Sequence, residues 1–261
     1  MNLSLEGKTA IVCGSTQGIG FACALELALL GASCILLARN ETSLEETVKK
    51  LDRSKEQQHK YLVADFSKSL QLKTAIENFM EQNVVQILIN NTGGPPPGPI
   101  IDAKEDDFLN AFNQHLICNH ILSKAVIPSM KAAGYGRIIN IVSTSVKIPL
   151  KNLGVSNTIR GAVASWAKTM ANELGQFNIT VNNILPGSIR TQRLESLIKN
   201  IATNNNSDVE KAEQEMQKEI PMKRFGDASE LAAVAAFLAS PAAAYINGVS
   251  IPVDGGRTGS I

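Results

Sequence analysis

The sequence predicts a single α/β domain built on a doubly wound parallel sheet. Three observations lead there. Apolar runs of strand length alternate with longer segments of helical periodicity along nearly the whole chain, the pattern of parallel strands joined by crossover helices. A glycine-rich turn lies between the first strand and the first helix. The 261 residues, 44% of them hydrophobic, suffice for one large core without a second domain.

Charge and composition exclude several classes. With 25 basic and 24 acidic residues and no basic block, the chain carries no electrostatic footprint for nucleic acid or an anionic membrane. No apolar run approaches the roughly 18 to 20 residues of a bilayer span. The start, Met1 to Lys8, lacks the apolar centre of a secretory signal, so the expected location is cytoplasmic. Cys13, Cys23, Cys34 and Cys118 sit within apolar patterns without metal-ligand spacing and read as small buried hydrophobes; no metal is expected.

Taken in order, the first strand is Thr9 to Val12 and the first helix Ile19 to Leu30, joined by Cys13, Gly14, Ser15, Thr16, Gln17, Gly18, Ile19 and Gly20. Glycines at 14, 18 and 20 permit a tight turn, close approach of the backbone to a phosphate and packing of helix on strand. The helix N-terminus adds free N–H donors for an anion. Residues 14 to 20 therefore predict dinucleotide binding. Gly31 closes the helix, and the second strand, Ser33 to Leu37, ends in Ala38, Arg39 and Asn40. This strand end meets the adenosine ribose in dinucleotide-binding sheets: a carboxylate there suits the free 2′-hydroxyl of NAD, a guanidinium the 2′-phosphate of NADP. Arg39, with no acid before it, points to NADP.

Glu41 to Leu51 carry Leu44, Val48 and Leu51 at helical spacing, and the third strand, Tyr61 to Ala64, delivers Asp65 and Phe66 to the crevice, where they are expected to flank the adenine. A fourth strand, Val84 to Asn90, runs into Asn91, Thr92, Gly93 and Gly94 and then a proline-stiffened loop, Pro95 to Pro99. Gly93 permits close approach, and adjacent asparagines suit a site that orders neighbouring loops. One long helix is expected from about Glu105 to Met130, with His115 and Asn119 on or beside its inward stripe. Gly136 to Ser143 form the fifth strand and place Ser143 at the crevice edge. A helix follows through Glu173, then a sixth strand, Ile179 to Leu185, ending in Pro186, Gly187, Ser188, Ile189, Arg190 and Thr191. The polar connection over 191–225 carries Leu194, Leu197, Ile198 and Ile201 on one stripe and a second helix from about Asp208. It reads as a substrate lid with a flexible tip at Asn204 to Asn206; a disordered insertion is the alternative.

The pattern as a whole resembles the short-chain dehydrogenase/reductase family, in its segments the 3-oxoacyl-acyl carrier protein reductase type. The resemblance rests on Gly14, Gly18 and Gly20, on Asn90 to Gly93, on Pro186 and Gly187, and on the ending Val253, Asp254, Gly255 and Gly256. It implies a Rossmann-type fold and a nicotinamide cofactor, NADP or its reduced form NADPH, contacted around Gly14 to Gly20, Arg39, Asp65, Asn91, Ile189 and Thr191. It also implies assembly as a homotetramer or homodimer. The family's chemistry rests on a serine, a tyrosine, a lysine and an asparagine. Only Ser143 matches. Alignment of the following segment puts Ser156 where the tyrosine is expected and Arg160 where the lysine is expected, and alignment of the long helix puts His115 at the asparagine position.

Carbonyl reduction needs a hydride, which the cofactor supplies, and a proton, which the protein supplies or relays. A serine hydroxyl is too weak an acid and too short to replace a tyrosine directly. Arg160 stays charged at neutral pH and shares a helix face with Ser156, so it holds a ribose hydroxyl and supplies positive potential but no proton. Three routes stand open: His115, titrating near neutrality and donating through water while Ser143 or Ser156 holds the carbonyl oxygen; Lys147, if burial lowers its pKa; or no acid at all. The expected function is thus an NADP-dependent oxidoreductase of a small-molecule or acyl-chain carbonyl with an atypical proton donor. The alternative is an NADP-binding pseudoenzyme that senses or scaffolds.

Overall fold

A computed structural model describes residues 1–260. Seven parallel strands, β1 (Thr9–Cys13), β2 (Ser33–Ala38), β3 (Lys60–Val63), β4 (Ile87–Asn90), β5 (Gly136–Ile141), β6 (Ile179–Pro186) and β7 (Ser250–Val253), form one sheet in the order β3-β2-β1-β4-β5-β6-β7. The helices between them are α1 (Gly18–Leu29), α2 (Glu41–Val48), α3 (Ser69–Met80), α4 (Glu105–Phe112), α5 (Cys118–Ala133), α6 (Gly154–Leu174), α7 (Gln192–Asn204), α8 (Val209–Lys218) and α9 (Ala228–Ala239). The single α/β domain with a doubly wound parallel sheet is therefore as the alternation of runs indicates. Among the described residues no helix is long and apolar enough to cross a membrane.

Both sheet faces are covered, which is why the central strands carry consecutive apolar residues rather than alternating ones. Ala10, Val12, Leu36, Ile87, Ile89 and Ile139 face one cluster, closed by α1, α2 and α9 through Leu27, Leu44 and Leu231. Ile11, Ile35, Leu37, Leu88 and Ile138 face the other, closed by α3, α5 and α6 through Ile76, Leu122 and Ala167. All four cysteines are buried and unpaired, and burial pushes each thiol up to about 12, so they serve as small hydrophobes.

One polar feature crosses this apolar sheet. Asn90 Nδ2 donates to Asn140 Oδ1 at 2.8 Å, Asn140 Nδ2 to Asn183 Oδ1 at 3.0 Å, and Asn183 Nδ2 to Ser250 Oγ at 3.1 Å. These residues are register partners on β4, β5, β6 and β7. Each side-chain nitrogen in the row thereby has an acceptor, and the oxygens of Asn140 and Asn183 each have a donor, whereas Asn90 Oδ1 has no partner.

Local boundaries differ from expectation at two places that matter. The fourth strand starts at Ile87 rather than Val84, because Val84 is exposed and the Val85 N–H donates to the Ser129 hydroxyl. The long helix is not continuous: α4 and α5 are separated by a π-helical turn, Asn113–Ile117, in which the Cys118 N–H bonds the Asn113 carbonyl. The extra residue turns His115 inward while Ala111 above it and Leu122 below it stay on the core.

Two helices, α7 and α8, occupy most of residues 191–225. α7 and α8 pack through a small core of their own, Leu194, Ile198, Ala202, Ala212, Ile220 and Phe225. The second piece docks with Ala212 and Ile220, while Val209 stays exposed.

Candidate active site

Strand order reverses between β1 and β4, and a crevice opens beyond the carboxyl ends of strands at such a point. Gly14, at the end of β1, and Asn91, at the end of β4, meet there. Asn91 Nδ2 donates to the carbonyl oxygens of Cys13 at 3.2 Å and Gly14 at 3.4 Å. Gly14 has φ +58°, and a Cβ on it would lie 2.8 Å from Asn91 Nδ2 and Asn91 O. A Cβ on Gly20 would collide with the Gly14 carbonyl oxygen. Glycine is required at both positions.

The first turn of α1 is uncapped: Gln17 is extended, and its side chain accepts no hydrogen bond from the helix. Ser15 is fully buried and its Oγ has no partner. Free backbone donors, an orphaned hydroxyl and a bare backbone surface fit a pyrophosphate. Thr16 is half-buried and Gln17 exposed on the open side of the turn, and Ile19 packs against the core. Thr191 lies over Gly18, its Cγ2 3.3 Å from the position a Cβ would take, and its Oγ1 caps α7 by accepting from the Leu194 N–H. Ile189 is buried and bridges to Gly226.

At the adenosine end Arg39 is exposed just beyond β2. Asp65 Oδ1 accepts from the Ser67 N–H at 2.9 Å, and that bond first, then the nearby charges of Arg39 and Lys68, hold its carboxyl below the usual range. Phe66 packs partly against the core, and its carbonyl accepts from the Cys118 thiol. Gly93 is exposed with open space around it.

At the other end, Ser143 follows β5 by two residues. Its Oγ accepts from the Ser145 N–H at 3.1 Å, which leaves its own proton for an oxygen in the crevice. Ser156 and Arg160 are both buried on the inner face of α6. Arg160 Nη1 donates to the Ile141 carbonyl at 3.0 Å, anchoring the guanidinium beneath the strand end that carries Ser143. His115 is 2% exposed, and its Nδ1 is 3.1 Å from Thr92 Oγ1.

The expectation that His115 titrates near neutrality is corrected here. Burial, then the charges of Arg160 and Arg193, push its imidazole down to about 3, so it is neutral at physiological pH. The route through Lys147 lacks the burial it requires, because Lys147 is exposed at the end of a short 3₁₀ turn. The three tyrosines lie elsewhere: Tyr61 bonds Glu45, Tyr135 donates to the Ala239 carbonyl, and Tyr245 is fully exposed.

Two residues absent from the expected set join the site. Thr92 supports His115. Arg193, in the first turn of α7, lays its guanidinium against Gly94, and its Nη2 reaches the Pro95 carbonyl at 3.5 Å. The sequence signal for Arg193 was only its place two residues after Thr191, which begins a helix at the crevice rim.

Over residues 14–258 the chain matches the family described as enoyl-(acyl carrier protein) reductase. It is 34% identical to the NADPH-dependent reductase BacG of Bacillus subtilis over 259 residues, 98% of this chain and 100% of that protein. The chain belongs to the short-chain dehydrogenase/reductase family. As a short-chain dehydrogenase/reductase it is an NAD(P)-dependent oxidoreductase of carbonyl or alcohol substrates. It is also 34% identical to the 3-oxoacyl-[acyl-carrier-protein] reductase FabG of Pseudomonas aeruginosa, over 97% of this chain and 98% of that one. The structure of L-sorbose reductase from Gluconobacter frateurii, complexed with NADPH and L-sorbose, superposes with a TM-score of 0.93 at 29% identity, covering 100% of both chains.

Proposed function

We propose that this short-chain family member is an NADP-dependent reductase of a small or acyl-chain carbonyl that works without a tyrosine acid. The observation that carries the reading is the Ser143 hydroxyl, fixed by the Ser145 N–H at the end of β5 with its proton free, beside a glycine turn suited to a dinucleotide. The printed activities of BacG, FabG and L-sorbose reductase support the same reaction class.

The residues present fit NADP. Gly14, Ser15, Thr16, Gln17, Gly18, Ile19 and Gly20 hold the pyrophosphate; Arg39 binds the 2′-phosphate; Asp65 and Phe66 border the adenine; Asn91, Gly93, Ile189 and Thr191 complete the cradle toward the nicotinamide. When bound, the cofactor supplies the hydride. Ser143 donates a hydrogen bond to the carbonyl oxygen as negative charge builds there. Arg160 holds a ribose hydroxyl and provides positive potential close to Ser156. Water is the proton source, and the Ser156 hydroxyl and the neutral His115–Thr92 pair pass the proton inward, since no group there holds an extra proton at neutral pH. Residues 191–225 act as the lid, and the homotetramer or homodimer forms through the outer faces of α4 to α6, where Leu109 and Phe112 are exposed.

A second reading, an NADP-binding pseudoenzyme, draws on the placement of all three tyrosines away from Ser143. One experiment separates the two. NADPH oxidation is followed at neutral pH across a broad carbonyl panel, alongside NADPH binding. Turnover that falls about 100-fold or more in Ser143→Ala at unchanged NADPH affinity supports the reductase; silence across the panel with intact NADPH binding sinks it and leaves the pseudoenzyme.

A further inference from the structure

The site holds two guanidiniums and no counter-charge. Arg160 is 8% exposed, and its Nε has no hydrogen-bond partner. Arg193 lies so close to Gly94 that a Cβ there would sit 2.5 Å from its Nη1 and Nη2. Its charge acts on both Arg160 and His115. Among the described residues, Arg190, Arg224 and Arg257 each pair with a glutamate, Glu213, Glu230 and Glu219, whereas no Asp or Glu pairs with Arg160 or Arg193. Arg160 is buried and Arg193 stands exposed at the crevice rim, so together they leave a positive potential that an anion entering the crevice would neutralise.

We propose that Arg193, backed by the buried Arg160, binds a carboxylate on the substrate, which makes this protein a reductase of oxoacids. The inference rests on the reductase reading above and adds the substrate class to it. The planar fork of an arginine matches a carboxylate through two parallel N–H donors. The position favours substrate over cofactor phosphate. Thr191, not Arg193, faces Gly18, and Arg193 points across the crevice to the loop of Gly94 and Pro95. The carboxylate is an anchor only: the carbonyl carbon gains the hydride, its oxygen gains the proton, and an oxoacid becomes a hydroxyacid.

The test compares pyruvate, phenylpyruvate and acetoacetate with their methyl esters, using NADPH oxidation and, on NADPH-saturated protein, calorimetric binding. The expected result is at least a tenfold preference in kcat/KM for an acid over its ester. That preference falls to near unity in Arg193→Gln and is partly retained in Arg193→Lys, with the NADPH Kd unchanged in both. A tenfold rise in NADPH Kd in Arg193→Gln with the preference intact assigns the arginine to the cofactor and overturns the proposal. If no carbonyl turns over, the reductase reading has failed, yet acid binding that is lost in Arg193→Gln still supports the anion site. No acid binding and no acid preference overturn it.

Discussion

The side-chain amide of Asn91 ties β4 to β1 by donating to the carbonyls of Cys13 and Gly14, and the space it occupies is the space a side chain on Gly14 would need. Cradle and crevice are thus one object. Gly14→Ala should therefore act twice. The positive φ makes alanine unfavourable by about 1 kcal/mol, and displacement of Asn91 deforms the phosphate turn. We expect a lower unfolding midpoint and at least a tenfold weaker NADPH affinity, read by denaturant titration and fluorescence binding.

Arg39 sets cofactor choice in the proposed site. Arg39→Ala should raise the NADPH Kd by about 10-fold to 100-fold, the loss of one charge-assisted phosphate contact, while changing NADH binding little. Equal losses for both nucleotides would show that Arg39 supports the fold rather than reading the 2′ position.

His115 makes the protein sensitive to acid. Its folded pKa of about 3 lies below its ordinary 6.5. Below pH 6.5 the unfolded chain takes up a proton that the folded chain refuses, so stability falls as pH drops through that window toward 3. At about 1.4 kcal/mol per unit, wild type should lose about 2 kcal/mol between pH 7 and 5 from this group alone. His115→Asn removes the titration, so its urea midpoint should change less over the same interval.

The same neutrality shapes catalysis. Because His115 already lies far below its ordinary range, kcat/KM should show no step of imidazole type between pH 6 and 8. A clear inflection near 6.5 that disappears in His115→Asn would restore the imidazole as the direct acid.

The α7–α8 pair has its own small core, separate from the two clusters on the sheet. Ile198→Ala, a buried truncation worth about 2 to 5 kcal/mol, should loosen this unit before the sheet. Limited proteolysis should cut first within 191–225, and amide exchange there should quicken while β1, β4 and β5 stay protected.

Much of this was open to inspection in the sequence, for reasons that differ by residue. Gly14, Gly18 and Gly20 announce a turn because the missing side chain is itself the signal, and Arg39 is readable because it directly follows a strand. The sheet follows from apolar runs too short for helices. The π-helical turn was not visible: one extra residue keeps the apolar stripe nearly intact, so periodicity runs on through it. Burial of His115 and exposure of Lys147 depend on neighbours far along the chain. Arg193 and Pro95, 98 residues apart, meet only through tertiary packing, which no local pattern encodes.

The asparagine chain from β4 to Ser250 on β7 works like a vernier scale on the floor of the crevice. Because each amide gives its N–H to the next strand, and the oxygens of Asn140 and Asn183 accept from the previous one, the links run one way and favour one alignment. A slip of a single residue would set Ile139 or Ile141 against an amide and leave it unmatched. The depths at which Asn91, Ser143, Gly187 and Asp254 emerge are therefore levelled from inside the sheet, independently of the loops that carry them.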